Sequence, residues 1–189
     1  MTAEDVIGKA VEVMKKGGII LYPSDTIWGI GCDALNRKAI TKVYNLKQRI
    51  DKKNLIILVN SLEEVAAYVR KVPEVVHDLI QSVNRPLTII YPDAVNLPDS
   101  LVAEDGSIGI RVVKNQLCEA MIRQLGRPIV STSANISGGP TPLTSAMISN
   151  HIRNGVDYIV NTRQEQVTEM KASTIIKVDS NNDFQIIRE

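Results

Sequence analysis

The 189-residue sequence predicts an α/β fold in which an open, twisted, mixed β-sheet is flanked by helices. Short apolar runs typical of strands alternate along the whole chain with amphipathic stretches typical of helices. Some consecutive strand segments are joined by connections too short for a crossover helix, which favours a mixed sheet over a purely parallel one. No repeat or linker divides the chain, so we expect one domain over residues 1–189.

Hydrophobic periodicity, together with capping and turn residues, sets the expected elements. Residues 3–16 carry apolar side chains at helical spacing. Asn36 can cap a second helix that runs to Leu46. Ser61 and Glu64 form a capping box ahead of a third helix. Further helices are expected over 73–83, 116–125 and 144–153. Strands are expected over 19–22, 27–34, 55–59, 87–91, 108–113, 128–130, 158–160, 174–178 and 184–187, and a polar loop over 161–171.

The composition is that of an ordinary soluble globular protein, with 44% hydrophobic and 23% charged residues. Aromatic residues make up only 4%, which disfavours a module that stacks nucleic-acid bases on aromatic side chains. The longest apolar run, 55–59, is far shorter than the roughly 20 residues needed to cross a bilayer. The acidic N-terminus is unlike a signal peptide, and Cys32 and Cys118 lack metal-ligand spacing. We therefore expect a cytoplasmic protein with buried thiols and no membrane partner.

The formal net charge of +1 hides a local excess of positive charge. The window 37–53 holds seven Lys or Arg residues and a single Asp, a balance of +6. Within it, Lys47 and Arg49 are two residues apart. In a continuing helix their side chains would point about 200° apart, so they can share a ligand only if the helix ends near Leu46. The pair is either an anion site for nucleotide phosphates or a favourable charge at a helix C-terminus.

A second cluster of hydrogen-bonding groups is the run Ser131-Thr132-Ser133-Ala134-Asn135, which follows a strand expected to be central. In open α/β sheets, ligands bind outside the carboxyl ends of the strands. The hydroxyls and the carboxamide can bond phosphate oxygens or a carboxylate there, or can form a polar turn closed on its own backbone. The run Pro23-Ser24-Asp25-Thr26 ends the first strand and is expected at the same edge.

Arg111 interrupts a strand that otherwise reads Ile-Gly-Ile-x-Val-Val. A cation in such an apolar strand needs a ligand or a structural ion pair, and the sequence leaves both open. The two histidines, His77 and His151, lie in predicted helices without neighbouring acids or cysteines, and we interpret them as surface or core residues. Chemistry that needs a histidine base is therefore not expected. Nucleotidyl transfer, which relies on positioning and charge stabilisation, fits the residues present.

These motifs, in this order, resemble the YrdC family of threonylcarbamoyl-AMP synthases. The family pattern is Pro-(Ser/Thr)-(Asp/Glu)-Thr-x-aromatic-Gly-(Leu/Ile)-Gly, then Lys-x-Arg, then Ser-x-Asn. Here these stretches are Pro23–Gly31, Lys47–Arg49 and Ser133–Asn135, followed by Ser137-Gly138 and Pro140-Thr141. The resemblance implies a YrdC-like fold and an enzyme that converts L-threonine, bicarbonate and ATP into threonylcarbamoyl-AMP and pyrophosphate. The product serves threonylcarbamoyladenosine modification of tRNA next to the anticodon.

The resemblance also implies roles for individual residues. Lys47 and Arg49 would be the catalytic cations. The ATP-binding residues would be Lys47, Arg49, Lys53, Ser107, Ser133, Asn135, Thr141 and Arg188, and the threonine-binding residues would be Thr26, Arg111, Ser131 and Ser173. No metal-binding residue is expected, because Mg²⁺ should arrive with ATP. The expected partners are ATP, L-threonine and bicarbonate, with tRNA and the other tRNA threonylcarbamoylation proteins as further candidates.

The sequence departs from the family pattern at several positions. Trp28 stands where tyrosine is usual, and Leu58 stands where longer members have a histidine near threonine. The run Asn84-Arg85-Pro86 replaces a Pro-Gly-Pro turn, and Val113 replaces a proline after Arg111. Longer members carry an additional C-terminal domain, which we do not expect here.

Two other functions stay open on the sequence alone. One is a non-catalytic translation or ribosome-maturation factor of the same fold, which would bind double-stranded RNA or tRNA through a basic concave surface; the +6 window permits this. The other is a divergent paralogue branch of uncertain activity, which lacks the intact Lys-x-Arg and Ser-Ala-Asn motifs. Because this sequence has both motifs, the enzyme is favoured.

Overall fold

The computed structural model describes residues 2–48, 55–161 and 172–189. Strands in this part of the chain are β1 (Ile20–Pro23), β2 (Trp28–Gly31), β3 (Ile56–Val59), β4 (Leu87–Tyr91), β5 (Ile108–Val112), β6 (Ile129–Ser133), β7 (Tyr158–Ile159), β8 (Thr174–Val178) and β9 (Phe184–Arg188). Helices are α1 (Ala3–Lys15), α2 (Arg37–Leu46), α3 (Leu62–Val65), α4 (Val75–Ser82), α5 (Gln116–Leu125) and α6 (Asn150–Gly155), with a 3₁₀ turn at Ser145–Met147.

The strands form one open sheet in the order β7-β1-β2-β6-β3-β5-β4-β8-β9. The pairs β1–β7, β3–β5 and β4–β8 are parallel. The pairs β1–β2, β2–β6, β3–β6, β4–β5 and β8–β9 are antiparallel. The predicted mixed sheet is thus confirmed, and β6 lies inside it as expected. The reason for antiparallel pairing in the sheet is visible between β1 and β2, where the connection of residues 24–27 is too short for a crossover helix.

Helices cover both faces of the sheet, because successive strand residues point to opposite sides. On one face, Ile20 and Tyr22 pack with apolar residues of α1 and α5. On the other, Ile19 and Leu21 pack with residues of α2, α3, α4 and α6. Both cores are mainly aliphatic, as the low aromatic content predicts.

Side-chain caps begin the helices where the sequence predicts them. Asn36 Oδ1 accepts a hydrogen bond from the Ala39 N–H at 3.1 Å and starts α2. The capping box predicted ahead of α3 forms with a different backbone partner for Glu64. Ser61 Oγ accepts from the Glu64 N–H at 3.4 Å, whereas the Glu64 carboxylate accepts from the Asn60 N–H at 2.9 Å.

The helix predicted over 144–153 is wrong. The chain there forms the 3₁₀ turn and then a separate α6, because the Ser149 hydroxyl accepts from the Ile152 N–H at 3.4 Å and starts a new helix. The strand predicted over 27–34 is shorter, since it ends at Gly31. Of the loop predicted over 161–171, all but the first residue lie outside the described residues.

Strand β6 is longer than the predicted 128–130. It continues through Ser133, because Thr132 and Ser133 pair with residues of β2 while Ser131 pairs with Ile56 of β3. The hydroxyl-rich run therefore belongs to an internal strand instead of following it. This difference decides where the candidate site lies.

Candidate active site

A cleft of about 410 Å³ opens over one face of the sheet. Alternate residues form its floor: Thr88 and Ile90 of β4 line it, as do Gly109 and Arg111 of β5. Most of the predicted site residues line this one cleft, namely Thr26, Ser107, Arg111, Ser131, Ser133, Thr141, Ser173 and Arg188. The other predicted residues are Lys47 and Asn135, which contact Ser133, and Arg49 and Lys53, which lie outside the described residues.

The cleft lies over the sheet, and not beyond the carboxyl ends of its strands as the sequence suggested. Ser131 and Ser133 are two residues apart in β6, so both face the cleft from the floor. Gly29 of β2 and Gly109 of β5, with β6 and β3 between their strands, both line the cleft and leave room above the backbone. A Cβ on Gly109 would stand 2.9 Å from Ile56 Cγ2, which is closer than real Cβ contacts allow.

Arg111 organises one end of the cleft and is only 6% exposed. Its Nη1 donates to Asp25 Oδ1 at 2.9 Å and to Thr26 Oγ1 at 3.2 Å. Its Nε donates to Thr88 Oγ1 at 3.1 Å and its Nη2 to Ser173 Oγ at 3.2 Å. The structural ion pair, one of the two alternatives that the sequence left open, is therefore present, and Arg111 also lines the cleft. Its contact with a ligand stays a prediction.

This network leaves Arg111 with limited capacity for a ligand. A guanidinium has five N–H donors, and the bonds within the described residues use all but one, on Nη2. Thr26 and Ser173 also line the cleft. The Thr26 hydroxyl donates to Ser24 Oγ at 3.0 Å, because Ser24 Oγ gives its own proton to the Ile27 carbonyl oxygen, so Thr26 offers no proton to a ligand. A carboxylate that accepts from the remaining Nη2 donor and from the Ser173 hydroxyl is a chemically suitable ligand.

The chain around Lys47 meets one condition for the anion site that Lys47 could share with Arg49, whereas Arg49 itself lies outside the described residues. Helix α2 ends at Leu46, and Gln48 adopts a left-handed backbone with φ 51°, so the chain has left the helix there, as the spacing demands. Lys47 is 2% exposed. Its Nζ donates to the carbonyl oxygens of Ser133 at 2.5 Å and Asn135 at 2.7 Å. Those bonds fix an ammonium beside the hydroxyl run of β6.

The backbone around Lys47 is held from α6 and from the loop after β6. The Lys47 carbonyl accepts from the Ser137 N–H at 2.9 Å. His151 Nε2 lies 2.9 Å from the Leu46 carbonyl oxygen, and because a carbonyl only accepts, the imidazole donates. His151 therefore closes the C-terminus of α2 instead of acting in chemistry.

Ser131 is oriented by a buried tyrosine. The hydroxyl of Tyr22, which is fully buried, donates to Ser131 Oγ at 2.9 Å. Burial raises the pKa of Tyr22, so it stays a protonated donor. The Ser131 proton is then available to a ligand in the cleft. Gly31 makes room for the ring, since a Cβ there would stand 2.7 Å from Tyr22 Cε1.

Ser107 lines the cleft, but its hydroxyl proton is already donated to another residue of the protein. Its Oγ donates to Asp105 Oδ1 at 2.6 Å, and its N–H donates to the same oxygen at 3.0 Å. Lys177 Nζ lies 2.7 Å from Asp105 Oδ2. The bond from Lys177, followed by those from Ser107, holds the pKa of Asp105 well below its usual range. Asp105 is therefore an acceptor only, and Ser107 presents lone pairs to a ligand.

Arg188 adds a second guanidinium to the cleft. Its Nε and Nη2 donate to the Ser173 carbonyl oxygen at 3.2 and 2.8 Å. Burial, and then the charge of Arg111, lowers the pKa of Arg188. An anion between these cations would relieve their repulsion, so the cleft suits a negatively charged ligand.

Metal ligands and membrane segments were also sought in the described ranges. There, no three His, Cys, Asp or Glu side chains gather as they would around a metal ion. No helix in those ranges is long and apolar enough to cross a membrane. The arrival of Mg²⁺ with ATP stays a prediction.

The residues that depart from the family pattern lie outside the lining of the cleft. Leu58 and Trp28 are buried in the two cores. Within the described residues the Trp28 indole N–H has no hydrogen-bond partner. Asn84 and Arg85 line a second, smaller cavity.

Several positioning residues were not predicted from the sequence. They are Tyr22, Asp25, Thr88 and Asp105. The sequence held a signal for Asp25. It is the acidic residue of the motif, next to Thr26, and Arg111 needed an acidic partner or a ligand. Tyr22, Thr88 and Asp105 carry no such signal, since only the register of the strands and the turn before β5 brings them to the site.

Comparison with known proteins identifies the family. The family model Sua5_yciO_yrdC, described as "Telomere recombination", matches residues 12–189. This chain belongs to the Sua5/YciO/YrdC family. A curated relative from Pseudoalteromonas translucida (strain TAC 125), named threonylcarbamoyl-AMP synthase, is 30% identical over 164 residues. That match covers 85% of this chain and 88% of the relative.

Solved structures of Sua5/YciO/YrdC proteins share the fold. E. coli YciO superposes with a TM-score of 0.81 at 25% identity, over 100% of this chain and 90% of YciO. P. abyssi Sua5, solved in complex with L-threonine, superposes with a TM-score of 0.83 at 23% identity. That superposition covers 94% of this chain and 52% of the Sua5 chain. The open mixed sheet flanked by helices is therefore the fold of this family.

Proposed function

We propose that this chain is an L-threonylcarbamoyladenylate synthase, a nucleotidyltransferase that makes threonylcarbamoyl-AMP and pyrophosphate from L-threonine, bicarbonate and ATP. The observation that carries the proposal is the convergence of Arg111, Ser131, Ser133 and Arg188 on one cleft, with the Lys47 ammonium bonded to the same strand. The name of the Pseudoalteromonas translucida relative supports it. The product serves threonylcarbamoyladenosine modification of tRNA next to the anticodon, in the cytoplasm.

In this proposal the threonine carboxylate binds at Arg111. The remaining Nη2 N–H and the Ser173 hydroxyl offer hydrogen bonds from one side, and Thr26, whose own proton goes to Ser24 Oγ, lines the same side. Ser131, whose proton Tyr22 leaves available, offers another from β6. The P. abyssi Sua5 complex with L-threonine agrees with a threonine site in this fold.

ATP binds along the rest of the cleft. Its phosphates lie against Lys47, Ser133 and Asn135, joined by Arg49 and Lys53. The Ser133 hydroxyl, which donates to Asn135 Oδ1 in the structure, turns to a phosphate oxygen when ATP binds. Ser107, Thr141 and Arg188 contact the nucleoside end. Ser107 accepts but does not donate, so it suits a ribose hydroxyl or the adenine amine and not a phosphate oxygen.

The chemistry needs no histidine base. The threonine amine adds to bicarbonate and loses water to give a carbamate. A carbamate oxygen then attacks the α-phosphorus of ATP, and the bond from that phosphorus to the pyrophosphate oxygen breaks. Lys47 and Arg49 stabilise the charge that builds on the α-phosphate and the leaving group. Mg²⁺ enters as part of the ATP substrate and carries phosphate charge.

Pyrophosphate release tests the assignment. Purified protein with Mg²⁺, ATP and bicarbonate should release pyrophosphate only when L-threonine is added, and omission of any one substrate should stop release. L-Serine and L-alanine are the matched controls, because serine lacks the γ-methyl group of threonine and alanine lacks both that methyl group and the hydroxyl. Equal release with either, or none with any amino acid, would overturn the proposal.

The alternative of a non-catalytic factor that binds double-stranded RNA or tRNA is not favoured. The curated relative is named for a synthase, and the Lys-x-Arg and Ser-Ala-Asn motifs are intact. Transient contact with tRNA and with the other threonylcarbamoylation proteins is compatible with the enzyme. The exposed cations of α2 in the basic window, Arg37, Lys38 and Lys42, are the residues to test for it.

A further inference from the structure

A second cavity, of about 190 Å³, lies on the opposite face of the sheet from the substrate cleft. Leu87, Ile89 and Tyr91 of β4, with Ile110 of β5, form its floor. The intervening residues of these strands face the cleft, which places the two cavities on opposite sides. The end of α4 and residues 84–86 close one side. No role in the proposed reaction uses this space.

The cavity is large enough for a compact apolar group. An engineered protein cavity of about 150 Å³ with aliphatic and aromatic walls takes up benzene. The floor residues and Ile80 and Val83 of the α4 side supply walls of the same kind here. One six-membered ring or a short branched chain therefore fits.

A tyrosine lines the wall. Tyr91 is 1% exposed as a residue, and within the described part of the chain its hydroxyl makes no hydrogen bond. Because Tyr91 lines the cavity, its hydroxyl can donate to a bound molecule or to water. Burial raises the pKa of Tyr91, which keeps the group a donor. A ligand with an acceptor atom would satisfy it.

The charge on the cavity wall is positive. Arg85 and Lys114 line it, are exposed to solvent, and form no ion pair within the described residues. Asp25 is the acid on the wall, and Arg111 already neutralises it at 2.9 Å. Two uncompensated cations beside an apolar chamber complement a molecule with one anionic end.

We propose that this cavity binds a small monocarboxylic acid with a compact apolar body. The body packs against the floor residues of β4 and β5. The carboxylate binds at Arg85 and Lys114, and the Tyr91 hydroxyl donates a hydrogen bond to the ligand. The proposal is independent of the reaction in the substrate cleft.

Fluorine NMR with 4-fluorobenzoate tests the proposal on the full chain. We expect saturable binding with a Kd at or below about 1 mM. The neutral analogue 4-fluorobenzyl alcohol should bind at least about tenfold more weakly, since it lacks the charge that Arg85 and Lys114 recognise. Equal affinity for the two probes, or no saturation with the acid, would overturn the proposal.

The affinities of variants for the two probes show in which cavity the probes bind. The double change Arg85→Gln with Lys114→Gln should weaken 4-fluorobenzoate about tenfold and leave the alcohol unchanged. Tyr91→Phe should weaken both about fivefold. Arg188→Gln is the matched control, because it removes a cation from the substrate cleft instead. If Arg188→Gln lowers the affinity and the double change does not, the probe binds in the substrate cleft and the proposal is wrong. Thermal melts confirm that each variant is folded.

Discussion

Asp25 and Arg111 form a buried ion pair across 86 positions of sequence, with 2.9 Å between Asp25 Oδ1 and Arg111 Nη1. The two side chains are 9% and 7% exposed. The pair joins the turn between β1 and β2 to strand β5 in the middle of the sheet. It therefore ties a loop of the site to the scaffold, and it fixes the plane of the guanidinium that faces the cleft.

We expect Asp25→Asn to destabilise the protein by about 3 kcal/mol, because it leaves Arg111 buried without its counter-charge. Urea unfolding followed by circular dichroism measures the change. Lys9→Gln is the control, since it breaks the exposed pair between Lys9 and Glu12 and should cost less than about 1 kcal/mol. If both variants unfold at the same urea concentration, the buried pair contributes no more than a surface pair.

Arg111→Lys should weaken threonine binding at least about tenfold while ATP affinity, measured without threonine, stays within twofold. Lysine keeps the charge but cannot reproduce the fork that contacts Asp25, Thr26, Thr88 and Ser173. Isothermal titration calorimetry gives both affinities. Unchanged threonine affinity in a folded variant would mean that Arg111 is structural only.

The order of elements could be predicted from the sequence because local rules govern it. Periodicity gave α5 and β4 to the residue, and the Asn36 cap and the end of α2 at Leu46 follow from local chemistry. The placement of the hydroxyl run could not be predicted in this way. Ser131 and Ser133 belong to β6 because β2 and β3 pair with them, and no neighbour in sequence indicates that pairing.

The candidate site was predictable where a motif carries the chemistry in one stretch. The motif residues that line the cleft, such as Thr26 and Ser133, are of this kind. Its supporting residues are not, because they act through distant contacts. Tyr22 reaches Ser131 across 109 positions, and Thr88 reaches Arg111 across 23. The hydrogen-bonding direction of Ser107 likewise depends on Asp105, which only the folded turn aligns.

Tyr22→Phe should raise the KM for threonine about fivefold and leave the KM for ATP unchanged. The substitution keeps the ring in the core and removes only the hydroxyl that donates to Ser131. Without it, the Ser131 proton is free to turn away from the ligand. Tyr68→Phe is the matched control, since it removes a tyrosine hydroxyl outside the cleft. An equal rise in both KM values would indicate a general loss of structure instead.

The two cysteine thiols should be unreactive in the native protein. Cys32 and Cys118 are fully buried, and burial raises the pKa of each, so little thiolate forms at pH 8. Ellman's reagent should detect no thiol in buffer and both in 6 M guanidinium chloride. Rapid labelling of either cysteine in buffer would contradict the tight packing of the two cores.

The last prediction concerns Lys47, whose ammonium is both a structural donor and, in the proposed reaction, a catalytic cation. Lys47→Met keeps the aliphatic stem but leaves the carbonyl oxygens of Ser133 and Asn135 without this donor. We expect a loss of about 1–3 kcal/mol in the free energy of unfolding. We also expect turnover to fall at least about a hundredfold, because the cation stabilises charge that develops mainly in the transition state. Lys42→Met is the control, since Lys42 lies in α2, the helix that ends just before Lys47, and its ammonium donates to the Gly17 carbonyl, away from the cleft. Pyrophosphate release at saturating substrate, measured well below the melting temperature of each variant, separates the two effects. A Lys47→Met protein that loses stability but keeps turnover would show that this cation only holds the end of β6 and the residues after it in place, and it would remove Lys47 from the mechanism.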